Sequence, residues 1–147
     1  SDFALGTQYC KVVTNGNDDG IGSLRFAIAQ CSNPEDYIYI AEFIDSIFLV
    51  SDTIILDKNL SIFHSGNEKV VIQTTSSSPV FKTNPGVLIT LNNIEIHSGG
   101  VASSKALLNN GNTILWNVDI INSIPGEIPV MNTGILEISE TVQIKNQ

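Results

Sequence analysis

From residue 37 onward the chain alternates apolar and polar positions in short runs, and the runs recur. Asn93-Ile94-Glu95-Ile96, Asn117-Val118-Asp119-Ile120 and Thr141-Val142-Gln143-Ile144 share one template of polar, apolar, polar, apolar, and the step from Ile94 to Val118 equals that from Val118 to Val142. Alternation with period two is the mark of a strand with one buried face. An earlier copy, Asn59-Leu60-Ser61-Ile62, lies farther upstream than one such step, with Ser65 to Ser78 read as an inserted loop or an extra short rung. Between copies, Pro79-Val80-Phe81, Ala106-Leu107-Leu108 and Pro129-Val130-Met131 form secondary apolar runs, each followed within a few positions by Gly. A period of about 24 residues holding two or three short strands predicts one coil of a parallel β-helix, with about four to five coils between residues 37 and 147. A sandwich has no fixed period, whereas stacked coils place equivalent residues about 4.8 Å apart. Asn92/Asn93 and Asn117 then recur at one turn, where their amides can bond from coil to coil. A plain turn preference for Asn is the alternative.

Residues 1–36 read differently. Tyr9 to Thr14 has strand character, and Asn15 to Gly20 is a turn-rich loop. In Ser23 to Cys31, Leu24, Ala27, Ile28 and Cys31 fall on one helical face, with Ser23 placed as N-cap and Pro34 as a stop. This predicts an N-terminal cap, residues 1–36, whose amphipathic helix plugs the first coil. No comparable plug is visible at the other end, where Val142-Gln143-Ile144 is still strand-like. The expectation is that further coils, of the same chain or a partner, follow there.

Composition agrees with an all-β chain. Isoleucine, valine and threonine dominate over Ala, and β-branched side chains fit a pleated surface. The net charge of −8, with Arg25 the sole arginine, excludes a polyanion-binding surface and hence nucleic acid as partner. No apolar run approaches the roughly 20 residues needed to span a bilayer, so membrane insertion is not expected. Ser1 to Cys10 lacks the basic start and long apolar stretch of a signal peptide, and the chain is read as cut from a longer protein.

Val13-Thr14-Asn15-Gly16-Asn17-Asp18-Asp19-Gly20-Ile21-Gly22-Ser23-Leu24-Arg25-Phe26-Ala27-Ile28 resembles the "VTN…D.G.GSLREAI" segment of CSLREA-type and polymorphic-outer-membrane-protein-like bacterial surface proteins. Asp52 to Ile62 is similar to the "L.I.K.LTI.G" rung of the same group. The resemblance implies a right-handed parallel β-helix of the pectate-lyase-like superfamily, and a secreted or surface-anchored, often adhesin-like protein. It implies no catalytic set. Phe26 stands where the group carries Glu, which removes a capping-box partner for Ser23.

Candidate chemistry is sparse. A strand over residues 10–14 rises about 13 Å, and a helix over 23–31 returns about 12 Å. An antiparallel arrangement would bring Cys10 to Cys31, in a disulfide worth about 3 kcal/mol that suits an oxidising compartment. Two separate buried thiols are the alternative. Asn15-x-Asn17-x-Asp19-Gly20 echoes a calcium loop, but the twelfth position is Phe26, which cannot ligate, so a capping turn is preferred. Glu95 and Asp119 fall one coil apart on the outward side, near the roughly 5 Å separation of a retaining glycosidase pair. Solvated strand positions explain them equally. His64 and His97 follow equivalent apolar pairs and are expected as turn-side surface residues, too few to hold zinc. Trp116, with Tyr37, Tyr39 and Phe43, offers either sugar-stacking surface or simple rim packing. No cofactor and no metal are expected.

The function expected from these features is a non-catalytic structural or binding module of a secreted or cell-surface β-helix protein, adhesin-like or in contact with polysaccharide or a host-surface ligand. The alternative is a fragment of a β-helix polysaccharide lyase or glycoside hydrolase.

Overall fold

Val118 stacks on Ile94, and Ile120 lies between Ile96 and Ile144, each pair in parallel register and one constant sequence step apart. The computed structural model describes residues 11–31, 36–124, 126–139 and 141–146. They form a parallel β-solenoid of about five turns with one short helix. In chain order the elements begin with β1 (Lys11–Val13), α1 (Leu24–Gln30), β2 (Asp36–Ile40), β3 (Ser46–Leu49), β4 (Ile54–Leu56), β5 (Leu60–His64) and β6 (Val70–Thr74). They continue with β7 (Phe81–Thr83), β8 (Leu88–His97), β9 (Leu107–Asn109), β10 (Asn112–Asn122), β11 (Val130–Asn132), β12 (Ile135–Ile138) and β13 (Gln143–Asn146).

Three faces result. The first stacks β1, β2, β5, the first halves of β8 and β10, and β12. On the second, β3, β6, the second halves of β8 and β10, and β13 follow one another. The third is β4, β7, β9 and β11, built from the secondary apolar runs. Because alternate residues point inward, the first two faces each contribute a buried aliphatic column: Ile38, Ile62, Leu91 and Leu115 on the first, Ile47, Ile72, Ile96 and Ile120 on the second. Each such side chain removed from water contributes about 1.5–3 kcal/mol.

One predicted copy belongs elsewhere. Leu60 pairs with Ile89 on the first face, not with Ile94; the upstream neighbour of Ile94 is Val70, at the same sequence step that separates Ile94 from Val118. Ser65 to Ser78 therefore contains a complete rung, β6. Residues 64–69 form a widened corner where β8 and β10 turn within one or two positions, and this stretches the separation of Leu60 from Ile89. The first and second faces carry the same alternation, so the template alone cannot tell them apart.

The narrow corners use left-handed backbone. Asn93 (φ 62°), Asn117 (φ 52°) and Thr141 (φ 51°) occupy one position of three successive coils. Asn tolerates this conformation because its short polar side chain bonds locally. Asn117 Nδ2 donates to Asn93 Oδ1 at 2.9 Å, and Asn93 Nδ2 donates to the His64 and Gly66 carbonyls, both at 2.9 Å. The expected coil-to-coil Asn ladder is thus present. A second ladder lies in the interior, where Thr83 Oγ1 and Thr113 Oγ1 both donate to Asn109 Oδ1 (2.6 and 2.8 Å) and Asn109 Nδ2 donates to Asn132 Oδ1 at 2.8 Å.

The predicted helix also forms, as α1. The Phe26 N–H donates to Ser23 Oγ at 3.1 Å, and Leu24, Ala27 and Ile28 are buried. β1 is more than a cap, since it is the first strand of the first face. Gly16 presses on β3 so closely that a Cβ would lie 2.3 Å from the Ser46 carbonyl oxygen. Arg25 donates to the carbonyls of Asp52 and Thr53 just before β4. The second and third faces are therefore met by the cap where the solenoid begins, which suppresses free strand edges there.

Candidate functional site

The outward side of the second face carries a cluster of charged side chains. Val71, Glu95, Asp119 and Gln143 are neighbours in successive rungs. Glu95 and Asp119 thus sit one rung apart, as the spacing predicts. Neither carboxylate is left to the other. His97, two positions along the same strand, contacts Glu95 through Nε2, and Lys69 Nζ lies 3.5 Å from Asp119 Oδ2. A depression of about 500 Å³ opens beside them, walled by Asn67, Glu68, Lys69 and Asn117. Two carboxylates at this spacing could divide acid and nucleophile roles, but here each has its own cationic or hydrogen-bonding partner, the arrangement of a structural surface network.

Lys69 is a partner that the sequence template does not reveal. It stands one full step before Asn93, just ahead of β6, the rung that the template passes over. The signal that finds it is the Val70–Ile94–Val118 period itself.

The histidines part company. His97 is a partly exposed outward residue, as expected, whereas His64 is buried, only 5% exposed. It occupies the inward column above Ile40. Its Nδ1 lies 3.4 Å from Asn93 Nδ2 and its Nε2 has no hydrogen-bond partner among the described residues. The expectation of a surface histidine fails because the alternation that places Leu60 and Ile62 inward also places His64 inward. Among the described residues no group of three or more His, Cys, Asp or Glu could hold a metal ion.

The loop resembling a calcium site spends its oxygens on its own backbone. Asn15 Oδ1 accepts from the Asn17 N–H at 3.1 Å, and Asp19 Oδ1 from the Gly20 N–H at 2.8 Å. Asp18 turns away to pair with Arg25 Nη2 at 2.9 Å and to accept from the Ser51 hydroxyl at 2.6 Å. Burial alone would raise the Asp18 carboxyl, but the hydrogen bonds from Ser51 and Arg25 and the guanidinium charge outweigh it and hold the group below its ordinary value. The loop is a latch joining the cap to the first coil.

Cys31 is fully buried at the end of α1 and is not a free thiol. Cys10 lies outside the described residues, and so does the strand reading of Tyr9.

The outward side of the first face is aromatic and uncharged through its middle. Tyr39, Phe63, Asn92 and Trp116 form one outward row across successive rungs, and Tyr37, Ser61 and Thr90 form the adjacent row. The Phe63 ring lies 5.5 Å from Tyr39 and 6.4 Å from Tyr37. Tyr37, Tyr39 and Trp116 therefore share a face. Phe43 does not join them and sits in the corner between β2 and β3. Phe63, not anticipated, takes its place because it lies one rung above Tyr39.

No family model matches the chain, and comparison with curated proteins and with solved structures likewise yields no match.

Proposed function

We propose that the chain is a non-catalytic, rigid binding segment of a secreted or cell-surface β-helix protein, adhesin-like or in contact with carbohydrate. The observation that carries this reading is that Glu95 and Asp119, the best-placed carboxylates for glycoside chemistry, are each engaged by a separate partner, His97 and Lys69. A regular, elongated solenoid surface suits extended ligands. The resemblance of residues 13–28 to the CSLREA-type group supports surface localisation, and a Cys10–Cys31 disulfide would accord with an oxidising compartment.

The alternative, a polysaccharide lyase or hydrolase segment, draws on the adjacency of Glu95 and Asp119. The two readings separate in one experiment. Incubation with a polysaccharide panel, read as reducing ends and as unsaturated products, should give no turnover. Turnover that is lost in the Glu95→Gln/Asp119→Asn double variant would make the chain an enzyme and end the binding-module reading.

A further inference from the structure

We infer that the outward side of the first face is a binding strip for an extended, uncharged glycan lying along the solenoid axis, with Tyr37 and Trp116 as its stacking platforms and Ser61, Thr90 and Asn92 as its hydrogen-bonding groups. This rests on the reading of the chain as a carbohydrate-contacting module and assigns the site and ligand class within it.

Exposure is the first support. Trp116 and Tyr37 keep 42% and 46% of their surface open on a sheet whose inward residues are buried, and Tyr37 borders a depression of about 200 Å³ floored by Ser61 and Thr90. Tyr and Trp give large, rigid contact area at small conformational cost, and sugar rings present apolar faces that such rings cover. Hydrogen-bonding capacity is the second. The Ser61 and Thr90 hydroxyls have no side-chain partner among the described residues, so a ligand hydroxyl can engage them without displacing a protein bond.

Spacing gives the ligand's shape. Phe63 is adjacent to Tyr39, and Trp116 follows two rungs beyond Phe63, with Asn92 between them. At about 4.8 Å per rung the row from Tyr39 to Trp116 is roughly 14 Å long. Only a chain of several sugar units spans it, so affinity should rise with oligosaccharide length until the strip is covered.

Charge gives the ligand's class. The rows from Tyr37 to Ile114 and from Tyr39 to Trp116 contain no ionisable group apart from the tyrosine hydroxyls, within a chain of net charge −8. Polyanionic glycans would meet repulsion without compensating Lys or Arg. Cationic ligands would find their complement on the second face, at Glu68, Glu95 and Asp119, not here.

The test is affinity electrophoresis and calorimetry of the whole chain with unbranched neutral polysaccharides (β-glucan, glucomannan, cellulose and chitin oligomers of increasing length), using polygalacturonate as the charged control. The wild-type chain should bind at least one neutral series, more tightly with length, and polygalacturonate not at all. Trp116→Ala and Tyr37→Ala should each weaken binding about tenfold, while Glu95→Gln should leave it unchanged. Both aromatic side chains are outward, and an unaltered circular dichroism spectrum separates lost contact from lost fold. Binding that survives both aromatic variants would overturn the assigned strip while leaving a carbohydrate-contacting module intact. Absence of binding to every neutral series, or preference for polygalacturonate, would overturn the ligand class. Binding accompanied by released products would instead overturn the non-catalytic reading on which the strip rests.

Discussion

Substitutions at the left-handed corner test the register of the solenoid at a single atom. Asn117 adopts φ 52° and its Nδ2 donates to Asn93 Oδ1 at 2.9 Å, within a corner where Asn93 is buried. Asn117→Gly keeps the backbone conformation accessible and removes the hydrogen bond, a loss of about 1 kcal/mol. It also adds freedom to the unfolded chain, costing roughly 0.5–1 kcal/mol. Asn117→Ala removes the same bond, escapes that entropy cost, and instead leaves in left-handed backbone a residue without the local polar side chain that lets Asn tolerate it, at about 1–2 kcal/mol. The two variants should thus lose about 1.5–2 and 2–3 kcal/mol respectively, with Ala the worse. Thr141 holds the next copy of the corner at φ 51° with a β-branched side chain that suits it poorly. Thr141→Asn should therefore stabilise by about 1 kcal/mol, by easing the backbone and extending the ladder toward Asn117. Urea unfolding followed by circular dichroism reads all three as midpoint shifts at constant slope, the condition under which a midpoint reports stability. A midpoint for Asn117→Ala equal to or above that of Asn117→Gly would refute the strain argument. An unchanged midpoint for Asn117→Gly would show that the ladder bond contributes nothing.

Two further outcomes follow from one buried and one half-buried polar group. His64→Leu should raise stability by about 1 kcal/mol, because the imidazole leaves Nε2 unpartnered in an otherwise aliphatic column and an unsatisfied buried group costs roughly 1–3 kcal/mol; a lowered thermal midpoint would mean that its Asn93 contact matters more than the orphaned nitrogen. Asp18, whose pKa is held below 3.8, contributes stability that is present above its unfolded-state value and is lost as pH falls through the lower folded-state value. Asp18→Asn should cost roughly 2 kcal/mol at neutral pH. It should also flatten the decline of stability below about pH 4, and unfolding curves that remain parallel across that range would discount the latch.

How much of this is legible in sequence depends on which physical signal each feature leaves behind. The inward columns are readable because Ile94, Val118 and Val142 repeat at a strict spacing, and stacked coils account for such a repeat in an alternating chain better than any aperiodic sheet does. The same alternation hides β6. Polar–apolar runs look alike whichever face they belong to, so the template assigns Asn59 to Ile62 to the wrong face. Only pairing in three dimensions separates Leu60–Ile89 from Val70–Ile94. The helix and its Ser23 cap are local and come through intact. The partner of Asp119 is not local in the same way. The Lys69–Asp119 pair joins β10 to the corner before β6 and depends on a side chain reaching past an intervening rung.

The aromatic strip shows why solenoids reward being read by column. In sequence, Tyr39, Phe63 and Trp116 are far apart, unequally spaced, and share no motif. Winding converts those separations into steps of one rung and two, because the wide corner at 64–69 lengthens a single coil and leaves the order of the rows unchanged. A ligand lying along a strand would meet Tyr37 and Tyr39 of one rung only. One lying along the axis meets Tyr39, Phe63, Asn92 and Trp116 in turn. Removing Trp116 should therefore hurt long oligomers more than short ones, since short ones can remain on the Tyr37–Tyr39–Phe63 end. That dependence on length distinguishes an axial binding strip from a single exposed tryptophan on an otherwise passive wall.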